Sequence, residues 1–160
     1  MSSFAQMTSI LCAAGAATAA GTFFTFSTFT IAGLQRLAPE HGAAAMQAIN
    51  KEAPAPPFML LLFGTGVACL VLMIHSALHL GDPAAKYRLV AGALYLLGVV
   101  LMTGLYHVPR NDLLDGLDPA SAEGTAYWAV YLEEWVRMNH VRTVAPLVAA
   151  ILLMVSLVVK

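Results

Sequence analysis

The chain of 160 residues is 59% hydrophobic and only 11% charged, and its formal net charge at pH 7 is −1. Soluble domains carry about a quarter charged residues, so this composition excludes an ordinary soluble protein, and the lack of a basic patch excludes a nucleic-acid partner. The chain has four apolar runs of the length that spans a bilayer, and they lack the alternation typical of barrel strands. We therefore predict an all-α integral membrane protein that forms a single domain over residues 1–160.

The predicted elements are transmembrane helices joined by short segments. In chain order, the four helices are predicted over residues 9–37, 58–80, 88–107 and 120–159. Residues 43–51 carry apolar side chains at helical spacing and predict a short amphipathic helix between the first two. Pro109 is expected to end the third helix, and Asp118 with Pro119 is expected to begin the fourth. The fourth helix is therefore extended, and its first part is expected to project from the bilayer.

The beginning of the last apolar run gives the strongest indication of function. Asn139, His140 and Arg142 are costly to desolvate in a membrane helix, so they are usually retained for a partner or a task. The residues that share one helical face there are Trp128, Tyr131, Trp135, Asn139, Arg142 and Pro146. An aromatic belt at the headgroups, with Arg142 reaching outward, is the alternative interpretation. It accounts for the aromatic residues but leaves Asn139 and His140 unexplained.

The end of the third helix places further polar residues on the same side of the bundle. His107 lies in the last predicted turn, where a cation suits the helix dipole. Asn111 and Asp112 either form a cap or turn, or converge with the polar residues of the fourth helix. We predict that Arg142 points into the bundle and pairs with Asp112, which is the nearest carboxylate by topology, or with backbone carbonyls, and not with lipid headgroups.

The first helix and the segment after it also contribute to this side. The phenylalanines between residues 23 and 29 are candidates for the wall of an apolar pocket, although the interleaved hydroxyl residues are more often packing contacts. Gln47 and Asn50 lie in the segment between the first two helices and need hydrogen-bond partners. We predict that this segment packs against the connection between helices 3 and 4.

Four motifs occur in a recognisable order along the chain. They are Phe23–Phe29 (FFTFSTF), Met46–Asn50 (MQAIN), Val108–Asp112 (VPRND), and Trp135 followed by Asn139–Thr143 (NHVRT). This pattern resembles the anthrone oxygenase-like family of small four-helix membrane proteins, over nearly the whole chain. The resemblance implies a multi-pass protein of a bacterial inner membrane. His107 and Arg110 depart from the residues usual in the family, which leaves the natural substrate open.

The resemblance implies oxidation of a hydrophobic polycyclic aromatic, an anthrone, to a quinone with molecular oxygen and without an obligatory organic cofactor or metal. His140 or Asp112 would then be the base, and Arg142 and Asn139 would face the enolate oxygen. Trp135, Phe26 and Phe29 would stack on the rings. The candidate catalytic residues are therefore His140, Asn139, Arg142, Asp112 and Asn111, and the candidate substrate-binding residues are Trp135, Phe26, Phe29, Gln47, Asn50 and His107.

Two other classes of function stay open at this stage. In one, His107 and His140, with His41, bind haem, copper or iron in a redox protein. In the other, the protein is a non-catalytic membrane subunit whose polar cluster only fixes the helices. Assembly into a homo-oligomer is also left open.

Overall fold

A computed structural model describes residues 2–159, which form a helical bundle without any strand in that range. The helices are α1 (Ser3–Leu34), α2 (Pro39–Glu52), α3 (Pro56–Ala77), α4 (Ala85–Asp115) and α5 (Ala122–Val158). All but α2 are long and apolar enough to cross a membrane, so the chain is a multi-pass membrane protein. The 37 residues of α5 extend about 55 Å, well beyond the ~30 Å of hydrocarbon. The predicted fold, including the short amphipathic helix and the extended last helix, is confirmed.

α1 begins at Ser3 and not at residue 9, and two boundaries that were predicted from proline and cap residues are also wrong. Pro109 does not end α4, because a wide π-helical turn at Thr103–His107 precedes it and Pro109 lies in the first turn of the segment that follows. A proline is tolerated there since its missing N–H is not needed. α5 begins later than expected: the Ser121 hydroxyl accepts the N–H of Gly124 at 2.9 Å and caps the helix. Asp118 instead closes the preceding turn.

The bundle is organised around α5, which packs along both α1 and α4, while α3 packs against the same two helices. Small side chains allow this close approach: a Cβ atom added at Gly98 on α4 would overlap the Cβ of Ala145 on α5. In the first part of α5, Trp128 and Tyr131 are buried in an apolar cluster with residues of α2 and α4. These two aromatic residues therefore belong to the core and not to a headgroup belt.

Helix α2 is held against the end of α4 by side-chain amides. The Gln47 Nε2 donates to the main-chain oxygens of Leu114 at 2.8 Å and Leu117 at 2.9 Å, which lie at and just beyond the end of the helix. The Asn50 Nδ2 donates to the Asp115 carboxylate at 3.3 Å. The predicted packing between these two segments is confirmed, and it places α2 over one end of the bundle.

At the opposite end, Asp82 closes the turn between α3 and α4. Its carboxylate accepts a hydrogen bond from Arg88 Nη2 at 2.6 Å and another from the N–H of Ala84 at 3.0 Å. Arg88 is fully buried, so this ion pair ties the turn to the helix core. The hydrogen bond from the Arg88 guanidinium lowers the pKa of the Asp82 carboxyl below its ordinary value.

Candidate functional site

A cavity of about 490 Å³ lies beneath α2, between α1, α3 and α5. Its volume falls within the range of pockets that hold small organic ligands. The apolar part of its wall is formed by Phe23, Phe26, Met46, Ala48, Ile49, Ala53, Phe58 and Trp135. The polar side chains on the wall are Thr22, Asn50, Glu52, Asn111 and Arg142. The cavity therefore combines aromatic walls with a small number of polar groups.

Asn139 on α5 is fully buried and uses its whole carboxamide. Its Nδ2 donates to the main-chain oxygen of Phe23 at 2.8 Å and to the Ser27 hydroxyl at 2.9 Å, so it joins α5 to α1. Its Oδ1 accepts a hydrogen bond from Arg142 Nη2 at 2.8 Å. No donor is left for a ligand, so the structure shows Asn139 holding Arg142 in place and does not support its predicted contact with an enolate.

Arg142 is only 5% exposed and lines the cavity, which confirms that it points into the bundle. Its partners are neutral: Asn139, the Thr103 hydroxyl at a long 3.5 Å, and the ring faces of Phe23 and Trp135 at 4.5 and 5.0 Å. Its buried Nε has no hydrogen-bond partner among residues 2–159. No carboxylate in that range lies within salt-bridge distance of it.

The predicted pairing of Arg142 with Asp112 is wrong, and among residues 2–159 Arg142 bonds no backbone carbonyl either. Asp112 is exposed and does not line the cavity. The physical reason is that α4 continues past Pro109, so consecutive side chains there differ in direction by about 100°. Asn111 faces α5, and Asp112 faces away from it. Residues 2–159 therefore provide no counter-ion for the guanidinium charge.

The orientation of the Asn111 side-chain amide is fixed, because its oxygen accepts hydrogen bonds from two donor groups. Tyr131 Oη donates to Asn111 Oδ1 at 2.8 Å, and the indole Nε1 of Trp135 donates to the same atom at 3.0 Å. An indole N–H can only donate, so the amide oxygen must face it. The amide nitrogen of Asn111 is therefore the group that remains for a ligand in the cavity.

His107 supports the aromatic wall from behind. It is fully buried, and its ring meets Trp135 edge-on at a centroid distance of 5.2 Å. Its Nδ1 donates to the main-chain oxygen of Met102 at 3.1 Å, since a carbonyl can only accept. The Nε2 has no hydrogen-bond partner in the described part of the chain. His107 does not line the cavity and contacts a residue that does.

Several predicted site residues lie elsewhere. His140 is exposed and lines a separate groove of about 350 Å³ with Gln35 and Arg137, because it follows Asn139 by one residue and points to another side of α5. Its role as the base is not supported by this location and stays a prediction. Phe29 is 63% exposed and is not a wall residue, because a π-helical turn at Phe26–Thr30 changes the helical spacing after Phe26.

The other departures concern Gln47 and the histidines. Gln47 fastens α2 to α4 and does not reach the cavity. Among residues 2–159 there is no group of three His, Cys, Asp or Glu side chains placed to hold a metal. The alternative set of His107, His140 and His41 is therefore not assembled: the first is buried behind Trp135, and the other two are exposed.

The structure brings together five of the predicted residues at the cavity wall, namely Phe26, Asn50, Asn111, Trp135 and Arg142. It also adds residues that the sequence did not single out. Phe58 contacts Phe23 edge-on at a ring-centroid distance of 6.4 Å, and Thr103 approaches Arg142. Glu52 is on the wall because α2 ends there. The sequence pattern that could have identified Glu52 is its position three residues after Ile49, which also lines the cavity.

A comparison with known protein families covers the part of this site that α3, α4 and α5 contribute. The family model described as anthrone oxygenase matches residues 58–152, a range that contains nearly all of α3, all of α4 and most of α5. Asn111, Trp135, Asn139 and Arg142 all lie within it, whereas α1 and α2 lie outside. No curated protein and no solved structure matches the chain. Because the matched range is more than half of the 160 residues, the chain belongs to the anthrone oxygenase family.

Proposed function

We propose that the protein is a membrane-embedded oxygenase that oxidises a hydrophobic, anthrone-like aromatic compound with molecular oxygen. The observation that carries the proposal is the environment of Arg142. Its guanidinium is nearly buried at the cavity wall, and all of its partners are neutral. Burying such a cation costs several kcal/mol unless a charge compensates it. A ligand that becomes anionic in the cavity supplies that charge.

The chemistry of an anthrone fits this arrangement. Its central ring carries a carbonyl group and, across the ring, an acidic C–H. Removal of that proton gives an enolate, whose oxygen is stabilised by Arg142 and by the amide nitrogen of Asn111. Phe23, Phe58 and Trp135 provide faces and edges against which the rings pack. The site thus favours the ionised form of the substrate over the neutral form.

The enolate then reduces oxygen directly. A new C–O bond forms at the carbon that lost its proton, and the resulting hydroperoxide loses water as its O–O bond and the remaining C–H bond break. One anthrone and one O₂ give one quinone and one water, so the reaction needs no further reductant. We assign no organic cofactor or metal to it, and molecular oxygen is the co-substrate. The hydrophobic substrate reaches the cavity from the bilayer, which we take to be a bacterial inner membrane.

The test is oxygen uptake by the purified protein in detergent with anthrone as substrate, together with quinone absorbance. We expect one O₂ consumed per quinone formed, at a rate above that of protein-free solution. Arg142→Gln should lower the rate roughly a hundred-fold or more, since it removes a preorganised donor to the oxyanion. Arg137→Gln is the matched control, because Arg137 is exposed on the same helix outside the cavity.

Two outcomes would overturn the proposal. Uptake no faster than in protein-free solution would favour the non-catalytic subunit. A Soret band, or activity that follows stoichiometric copper or iron and disappears with a chelator, would favour the alternative of a haem- or metal-dependent redox protein.

A further inference from the structure

The cavity contains one side chain suited to accept a proton at neutral pH. Of the side chains from residues 2–159 that line it, Glu52 is the only carboxylate, and no histidine is among them. Thr22 and the two amides on the wall are too weakly basic for this role, and Arg142 is a cation. The two bases expected from the sequence, His140 and Asp112, lie outside the cavity.

Glu52 and Arg142 lie at different depths. Glu52 is the last residue of α2 and is exposed, so it lies at the mouth of the cavity. Arg142 is 5% exposed and lies on the inner wall. The aromatic side chains line the space shared by the two charged groups.

This separation matches the shape of the substrate class. In an anthrone, the carbonyl oxygen and the acidic C–H are on opposite sides of the central ring. A ligand whose carbonyl oxygen meets Arg142 therefore turns its acidic C–H toward the mouth, where Glu52 lies. A base placed next to the guanidinium would be on the wrong side of the ring and would also neutralise it.

We propose, on the basis of the proposed function, that Glu52 is the catalytic residue that removes the proton from the substrate. The carboxylate takes the proton as the C–H bond breaks, and the bonding electrons move into the ring system to give the enolate oxygen at Arg142. The enolate transfers electrons to O₂ and forms the C–O bond. The protonated Glu52 returns its proton to the peroxide oxygen. The regenerated carboxylate then removes the second proton from the same carbon as the O–O bond breaks, and it passes this proton to the departing hydroxide, which leaves as water.

The decisive experiment separates proton removal from the reaction with oxygen. In the absence of O₂ and in heavy water, the wild-type protein should exchange the acidic hydrogen of anthrone for deuterium faster than protein-free solution, as followed by mass spectrometry. Glu52→Gln should lose this exchange and should lower aerobic turnover on the order of a hundred-fold. Glu52→Asp should retain part of both activities, since it keeps the carboxylate.

Glu40→Gln is the matched control, because it makes the same change of charge in the first turn of α2 and Glu40 is not on the cavity wall. It should leave exchange and turnover unchanged. A Glu52→Gln variant that exchanges deuterium as fast as wild type overturns the assignment of Glu52 while leaving the proposed oxygenase intact. A wild-type protein that neither exchanges nor consumes oxygen overturns the proposed function itself.

Discussion

The absence of a counter-ion for Arg142 can be tested by giving it one. Asn139→Asp replaces the amide that accepts a hydrogen bond from Arg142 Nη2 at 2.8 Å with a carboxylate of nearly the same shape. The guanidinium then has an ionic partner inside the protein. An anionic ligand in the cavity would meet a neutral pair in place of an uncompensated cation.

The expected loss of affinity follows from the distances. A ligand oxyanion about 4 Å from the guanidinium gains ~4 kcal/mol at an effective dielectric constant near 20. The introduced carboxylate lies on the other side of the guanidinium, about 8 Å from that oxyanion, and repels it by ~2 kcal/mol. We therefore expect affinity for an anionic ligand to fall roughly thirty-fold.

The same substitution also removes the two hydrogen bonds that Asn139 donates to Phe23 and Ser27, worth ~1 kcal/mol each in stability. Asn139→Leu is the comparison variant, because it loses the same two bonds without adding a charge, although it also loses the hydrogen bond that Asn139 accepts from Arg142. Comparing the two variants with an anionic and with a neutral probe separates the electrostatic effect from the structural one.

The assay is quenching of tryptophan fluorescence in detergent, since Trp135 lines the cavity. Anthraquinone carboxylate serves as the anionic probe and unsubstituted anthraquinone as its neutral counterpart. Asn139→Asp should bind the anion much more weakly than Asn139→Leu does, and the two should bind the neutral probe alike. Equal affinity of both variants for the anion would refute the counter-ion argument.

Three further predictions concern other parts of the molecule. The hydrogen bond from Arg88 lowers the pKa of the Asp82 carboxyl. This interaction therefore stabilises the protein fully above the ordinary carboxyl pKa of about 4, and the stabilisation is lost as the pH falls through the lowered pKa. Melting temperatures in detergent should show this acid limb in wild type and not in Asp82→Asn, which should already melt lower at neutral pH. His140→Ala should change oxygen uptake less than about tenfold, because His140 is outside the cavity; a hundred-fold loss would restore it as the base. Gln47→Ala removes two hydrogen bonds and should cost ~1–2 kcal/mol, seen as faster hydrogen exchange in residues 108–115, and unchanged exchange would contradict its role in holding α2.

The fold was predictable because the constraints on a membrane chain are strong and simple. Apolar length alone identifies the four long helices, and the high cost of an unpaired polar group in hydrocarbon indicates that Asn139 and Arg142 turn inward. The amides of α2 were also correctly expected to find partners on the segment between α4 and α5. These inferences depend on the composition of the chain and on the free-energy cost of unpaired polar groups, and not on the exact direction of each side chain.

The failures have a common geometric cause. Assigning Asp112 and Phe29 to the site required knowing the direction of each side chain around a helix, and both lie beyond a point where the helix departs from regular α geometry. Glu52 was missed for a different reason. Its significance comes from the position of the end of α2 over the cavity, which depends on the hydrogen bonds made by Gln47 and Asn50.

The π-helical turn at Thr103–His107 also restricts how the length of this chain can vary. Thr103 is the first residue of the turn and contacts Arg142. Asn111 lies after the turn and accepts a hydrogen bond from Trp135. A π-helical turn holds one more residue than an α-helical turn in about the same rotation, so deleting a single residue within it would restore regular α-helical spacing and leave everything after it facing nearly the same way relative to Thr103. A single-residue deletion in the regular segment at residues 108–110 would instead rotate Asn111 by about 100° and out of the cavity. A one-residue gap within the turn should therefore be less damaging than one in the regular helix that follows.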